Sequence, residues 1–236
     1  MVGACIVNLK LISVARIALV CGAGLLFLAA NLQALPGESE SAFAAIQERA
    51  ERGNADAQFQ LALLYADGDG CSQNYSSARQ WFAAAADQGL AAAQWKLGKS
   101  FASGEGGPQS YAQARYWYEL AGQQGLAQAQ NDLANLYSIG LGGPQHHAEA
   151  RAWFLKAAHQ GIANSQYNLG VMYFSGQGGS QDYGLAFAWL SAAATQGRED
   201  ASTAKDVVAD RLDATMLAEA QEHANRVHKS YVEPFL

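Results

Sequence analysis

The stretch that decides the fold runs from residue 91 to residue 126 and reads AAAQWKLGKSFASGEGGPQSYAQARYWYELAGQQGL. The sequence directly after it, residues 127–162, reads AQAQNDLANLYSIGLGGPQHHAEARAWFLKAAHQGI. These two segments align without a gap, and so do residues 55–90 before them and residues 163–198 after them. Self-similarity at a fixed period of a few tens of residues indicates a repeat architecture.

Eleven positions of this 36-residue unit are identical in all four copies. In the first copy they are Ala55, Gln58, Leu61, Gly68, Gly70, Gln73, Ala78, Trp81, Ala85, Gln88 and Gly89. So many gapless matches exclude coincidence, and the unit rather than the overall composition decides the fold class.

Each copy has the pattern of two helices joined by a loop. Leu61 and Tyr65 are four residues apart on a first helix, whereas Ala78, Trp81 and Ala85 follow the spacing of a second helix. A single hairpin of this kind cannot bury its apolar face, so neighbouring copies must stack. The sequence therefore predicts an all-α fold, a solenoid of stacked antiparallel helix pairs.

Residues with known preferences for helix ends stand at the expected boundaries. Asn74, Ser110 and Asp182 are predicted to cap the second helices, because their side-chain oxygens can accept from free backbone N–H groups. Glycines that can adopt a left-handed conformation are predicted to end these helices. They are Gly89, Gly125, Gly161 and Gly197.

The sequence on either side of the four repeats predicts caps. Residues 35–54 are expected to form a capping half-repeat, since residues 42–54 align with a second helix and place Ala45 where Trp81 stands. Residues 199–236 are expected to form C-terminal capping helices, with residues 199–210 in a first-helix position. Asp213 should open the last helix, whose predicted apolar side contains Met216, Leu217, Ala220, Ala224 and Val227.

Residues 1–34 differ in composition from the rest of the chain. Lys10 and Arg16 are their only charges, and residues 17–30 form an uncharged, mostly apolar run. That run is shorter than the roughly 20 residues that a bilayer-spanning helix needs. It fits the apolar part of a signal peptide, with cleavage expected near residues 30–36. The alternative is an uncleaved inner-membrane anchor formed by residues 17–35.

The charge balance excludes one class of partner. The chain has 15 Lys and Arg against 21 Asp and Glu, a formal net charge of −6. Loss of residues 1–34 would change this to −8 and leave Cys71 as the remaining cysteine. An acidic chain is not expected to bind nucleic acid. Contact with a membrane is expected only through an uncleaved N-terminal segment.

The repeat resembles the Sel1-like repeat family, a relative of the tetratricopeptide repeat. The family pattern is roughly A-x-x-x-L-G-x-x-Y-x-x-G-x-G followed by D-Y-x-x-A-x-x-W-x-x-x-A-A-x-x-G, and residues 57–89 and their three copies match it. The resemblance implies a right-handed superhelix and a bacterial adaptor or scaffold. Cys71 and its equivalents, Gly107, Gly143 and Gly179, depart from the pattern, which usually has a β-branched residue there.

No motif predicts a cofactor, a metal ion or a catalytic residue. The Gly-x-Gly loops have glutamine where a dinucleotide-binding loop needs its third glycine. Asp67 and Asp69 resemble the start of a calcium loop, but Cys71 occupies a ligand position. His146 and His147 are adjacent and would diverge on a helix, and His147 aligns with tyrosines. Cys71 is interpreted as a bystander near a loop, with an intermolecular disulfide as the alternative.

Positions that vary between copies on one face of the first helix are the candidate binding residues. They are Phe59, Leu63, Trp95, Lys99, Asn131, Asn135, Tyr167 and Val171. By resemblance to tetratricopeptide proteins this face lines a concave groove, with Phe59, Trp95, Asn131 and Tyr167 along its floor. The alternative is that some of these aromatic side chains pack against the next repeat, most plausibly Phe59 and also Phe174.

These observations favour a non-enzymatic protein–protein interaction scaffold of the bacterial cell envelope, exported to the periplasm or secreted. It would bind a protein or peptide of unspecified identity in the groove. One alternative is a weak hydrolase or binder acting on peptidoglycan or β-lactam ligands, as the resemblance to cysteine-rich relatives suggests. Another alternative is a secreted factor that interacts with a host protein.

Overall fold

The fold is taken from a computed structural model, which describes the backbone of residues 36–235 and the side chains of residues 41–235. The expected signal peptide or anchor, residues 1–34, lies outside the described residues, together with Cys5 and Cys21. Among the residues that are described, no helix is both long enough and apolar enough to cross a bilayer.

Residues 36–235 form eleven α-helices and a short 3-10 helix, with no β-strand among them. From α1 to α10, helices that follow each other in sequence pack against each other, and α11 packs on α9. This confirms the expected all-α stack of antiparallel helix pairs. The helices are α1 Pro36–Glu51, α2 Ala55–Asp67, α3 Tyr75–Asp87, α4 Ala91–Ser103, α5 Tyr111–Gln123, α6 Ala127–Ile139, α7 His147–Ala158, α8 Ala163–Ser175, α9 Tyr183–Thr195, α10 Glu199–Ala209, α11 Ala214–Tyr231 and the 3-10 helix Glu233–Phe235.

The predicted helix ends are confirmed. The side chains of Asn74, Ser110 and Asp182 each accept a hydrogen bond from a backbone N–H three residues further on. His146, at the equivalent position before α7, makes no such bond. The glycines after the second helices all have positive φ, between 80° and 93°.

The second glycine of the Gly-x-Gly pair in the last three repeats allows two neighbouring repeats to approach closely. Gly106 has a φ of +77°, and a Cβ on it would collide with the backbone oxygen of Tyr75 in the preceding repeat. Gly142 and Gly178 meet the preceding repeat in the same way. These glycines are therefore fixed both by their backbone conformation and by the close packing of repeats.

A buried glutamine joins three helices in every repeat. Gln94 donates from Nε2 to the backbone oxygen of Ala86 at 3.2 Å, and its Oε1 accepts from Nε2 of Gln124 at 2.7 Å. Gln58, Gln130 and Gln166 repeat both bonds. A buried amide must find partners. These bonds therefore explain two of the three invariant glutamines of the unit, which are Gln58 and Gln88 in the first copy.

An arginine on three of the second helices bridges to the next repeat. Arg115 lies with its guanidinium carbon 3.6 Å from the centre of the Tyr137 ring and donates from Nη1 to the backbone oxygen of Pro144 at 3.5 Å. Arg79 and Arg151 make the same contacts with their own following repeats. We call these three residues the bridging arginines.

The bridging arginines explain the departure from the family pattern. A Cβ on Gly143 would collide with Nη1 of Arg115, and Gly107 and Gly179 face the other two arginines in the same way. A β-branched residue at these positions would therefore displace the arginine from its place.

The two ends of the array lack the bridging arginine. In the 36-residue register, Phe43 of α1 and Phe187 of α9 occupy its position. Phe43 packs edge-on against Tyr65, with the ring centres 5.7 Å apart. At that first junction Cys71 replaces the glycine; it is 5% exposed, with Sγ 3.7 Å from the backbone oxygen of Leu64. An intermolecular disulfide at Cys71 would first require this loop to open.

The C-terminal cap contacts residues of the third and fourth repeats, which its own sequence does not indicate. Gln166 of α8 donates to the backbone oxygen of Tyr231, at the end of α11, at 3.1 Å. The ring of Phe235 lies so close to Gly161, after α7, that a Cβ there would collide with it. Asp213 caps α11 as predicted, whereas Met216 is 47% exposed and does not join the buried side of that helix.

Candidate binding surface

The first helices of the four repeats, α2, α4, α6 and α8, present one face that their neighbours leave accessible. Its residues occupy the positions of Gln60, Leu63 and Asp67 in each repeat. We call this the outer face. Its other members are Lys96, Lys99, Ser103, Asp132, Asn135, Ile139, Asn168, Val171 and Ser175, all of them exposed or half-buried.

The predicted groove floor is turned away from this face. Position 59 lies about 100° around the helix from position 60, and its four residues point toward neighbouring helices. Phe59 packs on Phe82 with the ring centres 5.8 Å apart. Asn131 is only 9% exposed, so the structure corrects the expectation that it is a free groove side chain. The alternative expectation, that members of this row pack between repeats, describes their geometry better.

A chain of hydrogen bonds explains why this row is buried. Trp95 donates from Nε1 to Oδ2 of Asp132 at 2.8 Å, and Asn131 donates from Nδ2 to Oδ1 of the same carboxylate at 3.1 Å. Ser165 then donates from Oγ to Oδ1 of Asn131 at 2.8 Å. These bonds connect α4 to α6 and α6 to α8.

The Asp132 carboxylate also affects a neighbouring phenol. Burial raises the pKa of Tyr118 well above its ordinary value, and the negative charge of Asp132 raises it further. Tyr118 packs beneath Gly98, where a Cβ would collide with its ring. The phenol therefore stays neutral at physiological pH, and it serves the packing of α4 on α5.

Tyr167, the last member of the predicted floor, is covered by a cation. The guanidinium carbon of Arg198 lies 4.2 Å from the centre of the Tyr167 ring. Nη1 of Arg198 donates to Oδ1 of Asn164 at 2.6 Å, and Nη2 donates to Oδ2 of Asp200 at 2.5 Å. The ring is thus part of the junction between α8 and the C-terminal cap.

The other four predicted residues lie on the outer face. Leu63 and Asn135 are half-buried, whereas Lys99 and Val171 are exposed. Oδ1 of Asn135 accepts from Nδ2 of Asn168 at 3.4 Å. These residues occupy the same position in four consecutive repeats and so form a continuous row along the array.

One part of the outer face is a cleft of about 330 Å³ between the first two repeats. It brings together Leu63 from α2, Phe82 from α3, and Lys96 and Lys99 from α4. Asp67 and Glu105 also line it. Two of the predicted site residues, Leu63 and Lys99, therefore share one site.

Sequence reasoning missed Lys96, Asp132 and Asn168, which share position 60 of the unit. A signal was present, because position 60 carries a polar side chain in every copy while position 59 carries three aromatic residues. Persistent polarity at position 60 indicated the more accessible side of the helix.

The two adjacent histidines, His146 and His147, lie at the start of α7. His146 is exposed, and His147 is the first residue of α7, with a buried Nδ1 that has no hydrogen-bond partner. Across residues 41–235 no group of three His, Cys, Asp or Glu side chains is placed to hold a metal ion.

Comparison with known families decides the classification. The Sel1 repeat model matches residues 55–90, 91–126, 127–162 and 163–197. The chain belongs to the Sel1 repeat family. Sel1 repeat proteins generally mediate protein–protein interactions. Among curated proteins none matches the chain.

Two solved structures are similar to this Sel1 repeat chain. One is a protective antigen of uropathogenic Escherichia coli that displays an SLR fold, with 31% identity, a TM-score of 0.73 and 82% of this chain covered. The other is a Sel1 repeat protein from Oxalobacter formigenes, with 36% identity, a TM-score of 0.64 and 70% covered. The chain spans only 42% and 48% of the length of these two proteins.

Proposed function

We propose that this Sel1 repeat chain is a non-enzymatic adaptor that binds an extended segment of another protein along the outer face. The supporting observation is the continuous row formed by Leu63, Lys99, Asn135 and Val171. These residues stay accessible in four consecutive repeats, whereas most of the remaining surface of the first helices is used for packing.

The length of the row suits a short extended peptide. Side chains of neighbouring first helices touch, as in the bond from Trp95 to Asp132, and helices in contact are about 10 Å apart. Four helices therefore span about 30 Å. An extended chain advances about 3.3 Å per residue, so about nine residues would cover the row.

The row also offers mixed chemistry. Leu63 and Val171 provide apolar contacts, Lys99 provides a positive charge and Asn135 provides an amide. An amide can both donate to and accept from a peptide backbone. This combination favours a peptide over a small metabolite, which would need an enclosed cavity.

We place this adaptor in the bacterial cell envelope. The support is the sequence of residues 1–34, in which Lys10 and Arg16 precede an apolar run of signal-peptide length. An inner-membrane anchor formed by residues 17–35 is the alternative. Fractionation of cells, with N-terminal sequencing of the recovered protein, separates these two cases.

Selection from a library of random peptides tests the binding function. The library is displayed with a blocked C-terminus and selected on the purified chain. We expect enriched peptides to bind the variant Leu63→Ser/Val171→Ser about tenfold more weakly, because both apolar contacts are lost. The matched control, Val207→Ser/Met216→Ser, removes two exposed apolar side chains from the C-terminal cap and should bind normally.

Two results would contradict the proposal. If no peptide is enriched above the level found with an unrelated protein, the chain is not a peptide-binding adaptor. If enriched peptides bind the outer-face variant as tightly as the unsubstituted chain, binding takes place elsewhere. Circular dichroism of each variant verifies that its helix content is unchanged.

A further inference from the structure

The four first helices contain only two cationic side chains, and both are on α4. These are Lys96 and Lys99, whereas α2, α6 and α8 have neither lysine nor arginine. Both lysines lie on the outer face and line the cleft between the first two repeats. The positive charge of this face is therefore concentrated at one place.

The fold does not require these lysines. At the position of Lys96 the other repeats carry Gln60, Asp132 and Asn168, and at the position of Lys99 they carry Leu63, Asn135 and Val171. The three other copies form the same helix pair with these neutral or acidic side chains. The repeats thus provide an internal control, which indicates that the lysines serve something other than helix stacking.

The two ammonium groups lie at similar distances from one anchored aromatic ring. The Nζ atoms of Lys96 and Lys99 are 5.3 Å and 5.2 Å from the centre of the Trp95 ring. Trp95 is itself held by its bond to Asp132. Within the described chain, neither lysine has a carboxylate within 4.0 Å. The two charges are positioned but not neutralised.

The cleft also contains apolar and acidic side chains. Leu63 and Phe82 line it together with the lysines, and Asp67 and Glu105 line it as well. The two carboxylates, together with the net charge of −6, disfavour a densely charged polyanion such as nucleic acid. A single carboxylate beside an apolar side chain matches both the charge and the surface of this cleft.

We propose that the cleft formed by Leu63, Phe82, Lys96 and Lys99 binds an acidic side chain, Asp or Glu, of the extended partner segment, with a neighbouring apolar side chain seated on Leu63. This inference rests on the proposed peptide-binding function and specifies its partner. Carboxylate–ammonium hydrogen bonds supply the selectivity, since these are stronger than bonds between neutral groups. The apolar contact fixes the register of the peptide.

The peptide selection described above also tests this proposal. We expect the enriched peptides to share an acidic residue next to an apolar one. Replacing that Glu by Gln, or that Asp by Asn, should weaken binding about tenfold because a charge-assisted contact is lost. The variant Lys96→Gln/Lys99→Leu, which copies the first repeat, should weaken binding of the acidic peptide to the same extent.

The two changes should also be coupled. The neutral peptide and the Lys96→Gln/Lys99→Leu variant together should bind no more weakly than either change alone, because both remove the same interaction. A control variant, Arg211→Gln/Lys229→Gln, removes two exposed cations outside the outer face and should bind the acidic peptide normally.

The possible failures are distinguishable. Enriched peptides without an acidic preference, or an acidic peptide that binds the lysine variant normally, would overturn the acidic-side-chain site and leave the adaptor function standing. Because the C-terminus of the displayed peptides is blocked, an enriched acidic preference reports recognition of a side chain and not of a terminal carboxylate. Failure to enrich any peptide would overturn both proposals.

Discussion

Gln130 shows how one side chain can hold three helices together. It is 4% exposed, donates from Nε2 to the backbone oxygen of Gly122 at 3.0 Å, and accepts from Nε2 of Gln160 at 2.8 Å. The partners belong to the end of α5 and to the turn after α7. Loss of the Gln130 amide would leave Nε2 of Gln160 without this acceptor, whereas the Gly122 oxygen would still accept from the backbone N–H of Gly125.

We therefore expect Gln130→Leu to lower the free energy of unfolding by about 1–3 kcal/mol, the cost of one unsatisfied buried polar group. Urea unfolding followed by circular dichroism measures this. Gln128→Leu, at an exposed position on the same helix, is the control and should change stability by less than about 0.5 kcal/mol. Equal effects of the two substitutions would show that the buried bonds contribute nothing.

Contacts between residues close in the sequence could be predicted, whereas contacts between distant residues could not. Caps such as Asn74 were predictable because the side chain bonds to a backbone group three residues away, within one helical turn. The partners of Gln130 were not predictable, because one is 8 residues and the other 30 residues distant. Identity in four copies indicated that the glutamine matters, but only the packed structure shows what it contacts.

At the scale of helices, each junction between repeats depends on a matched set of three residues. In the middle of the array the set is Arg115, Tyr137 and Gly143, in which the glycine leaves room for the guanidinium. At the first junction Phe43 replaces the arginine, and Cys71 replaces the glycine. The absence of an arginine at this junction explains why a larger residue than glycine fits there.

A double-mutant cycle tests this dependence. Gly143→Cys alone should destabilise the array, since the new side chain displaces Arg115, and Arg115→Phe alone should do so through loss of the bridge to Pro144. Together they reproduce the first junction, so the double variant should be more stable than the sum of the single effects predicts, by about 1 kcal/mol or more. Thermal or urea unfolding of the four proteins measures the coupling. Strict additivity would mean that the two positions are independent.

Helix orientation was the part of the candidate site that sequence predicted least well. The boundaries of α4 and α6 followed from the repeat, but each first helix contacts its own second helix and also the next repeat. The accessible strip of each first helix is therefore narrower than the whole face that points away from Leu61. Leu63 and Lys99 lie on this strip, whereas Asn131 is buried, because its partner Ser165 comes from the following copy.

At the scale of the whole molecule, the C-terminal residues join the end of the chain to an earlier repeat. The ring of His159, next to the end of α7, stacks on Tyr231 with 4.2 Å between the ring centres, and Trp189 lies 5.6 Å from His159. The Phe235 ring packs at Gly161. The C-terminal residues thus contact the third repeat as well as the fourth. The cap is therefore anchored after α7 in addition to its packing on α9.

This arrangement makes the cap sensitive to acid. Partial burial lowers the pKa of His159 from its ordinary value of 6.5. Between pH 6.5 and the lower pKa that His159 has in the folded protein, the unfolded chain binds a proton at His159 more readily than the folded chain does. The free energy of unfolding therefore falls as the pH decreases through this interval, and above pH 6.5 this histidine does not change it.

The variant His159→Gln tests this expectation, because it removes the titratable ring that stacks on Tyr231. Gln123 already occupies the equivalent position in the second repeat, so the substitution suits the fold. Between pH 7.5 and pH 5.5 we expect the melting temperature to fall more in the unsubstituted chain than in the variant. Hydrogen exchange at residues 228–235 should rise over the same interval only when His159 is present. His223→Gln, on α11, is the matched control and should behave like the unsubstituted chain; if His159→Gln does so too, the acid response does not arise from the stacked ring.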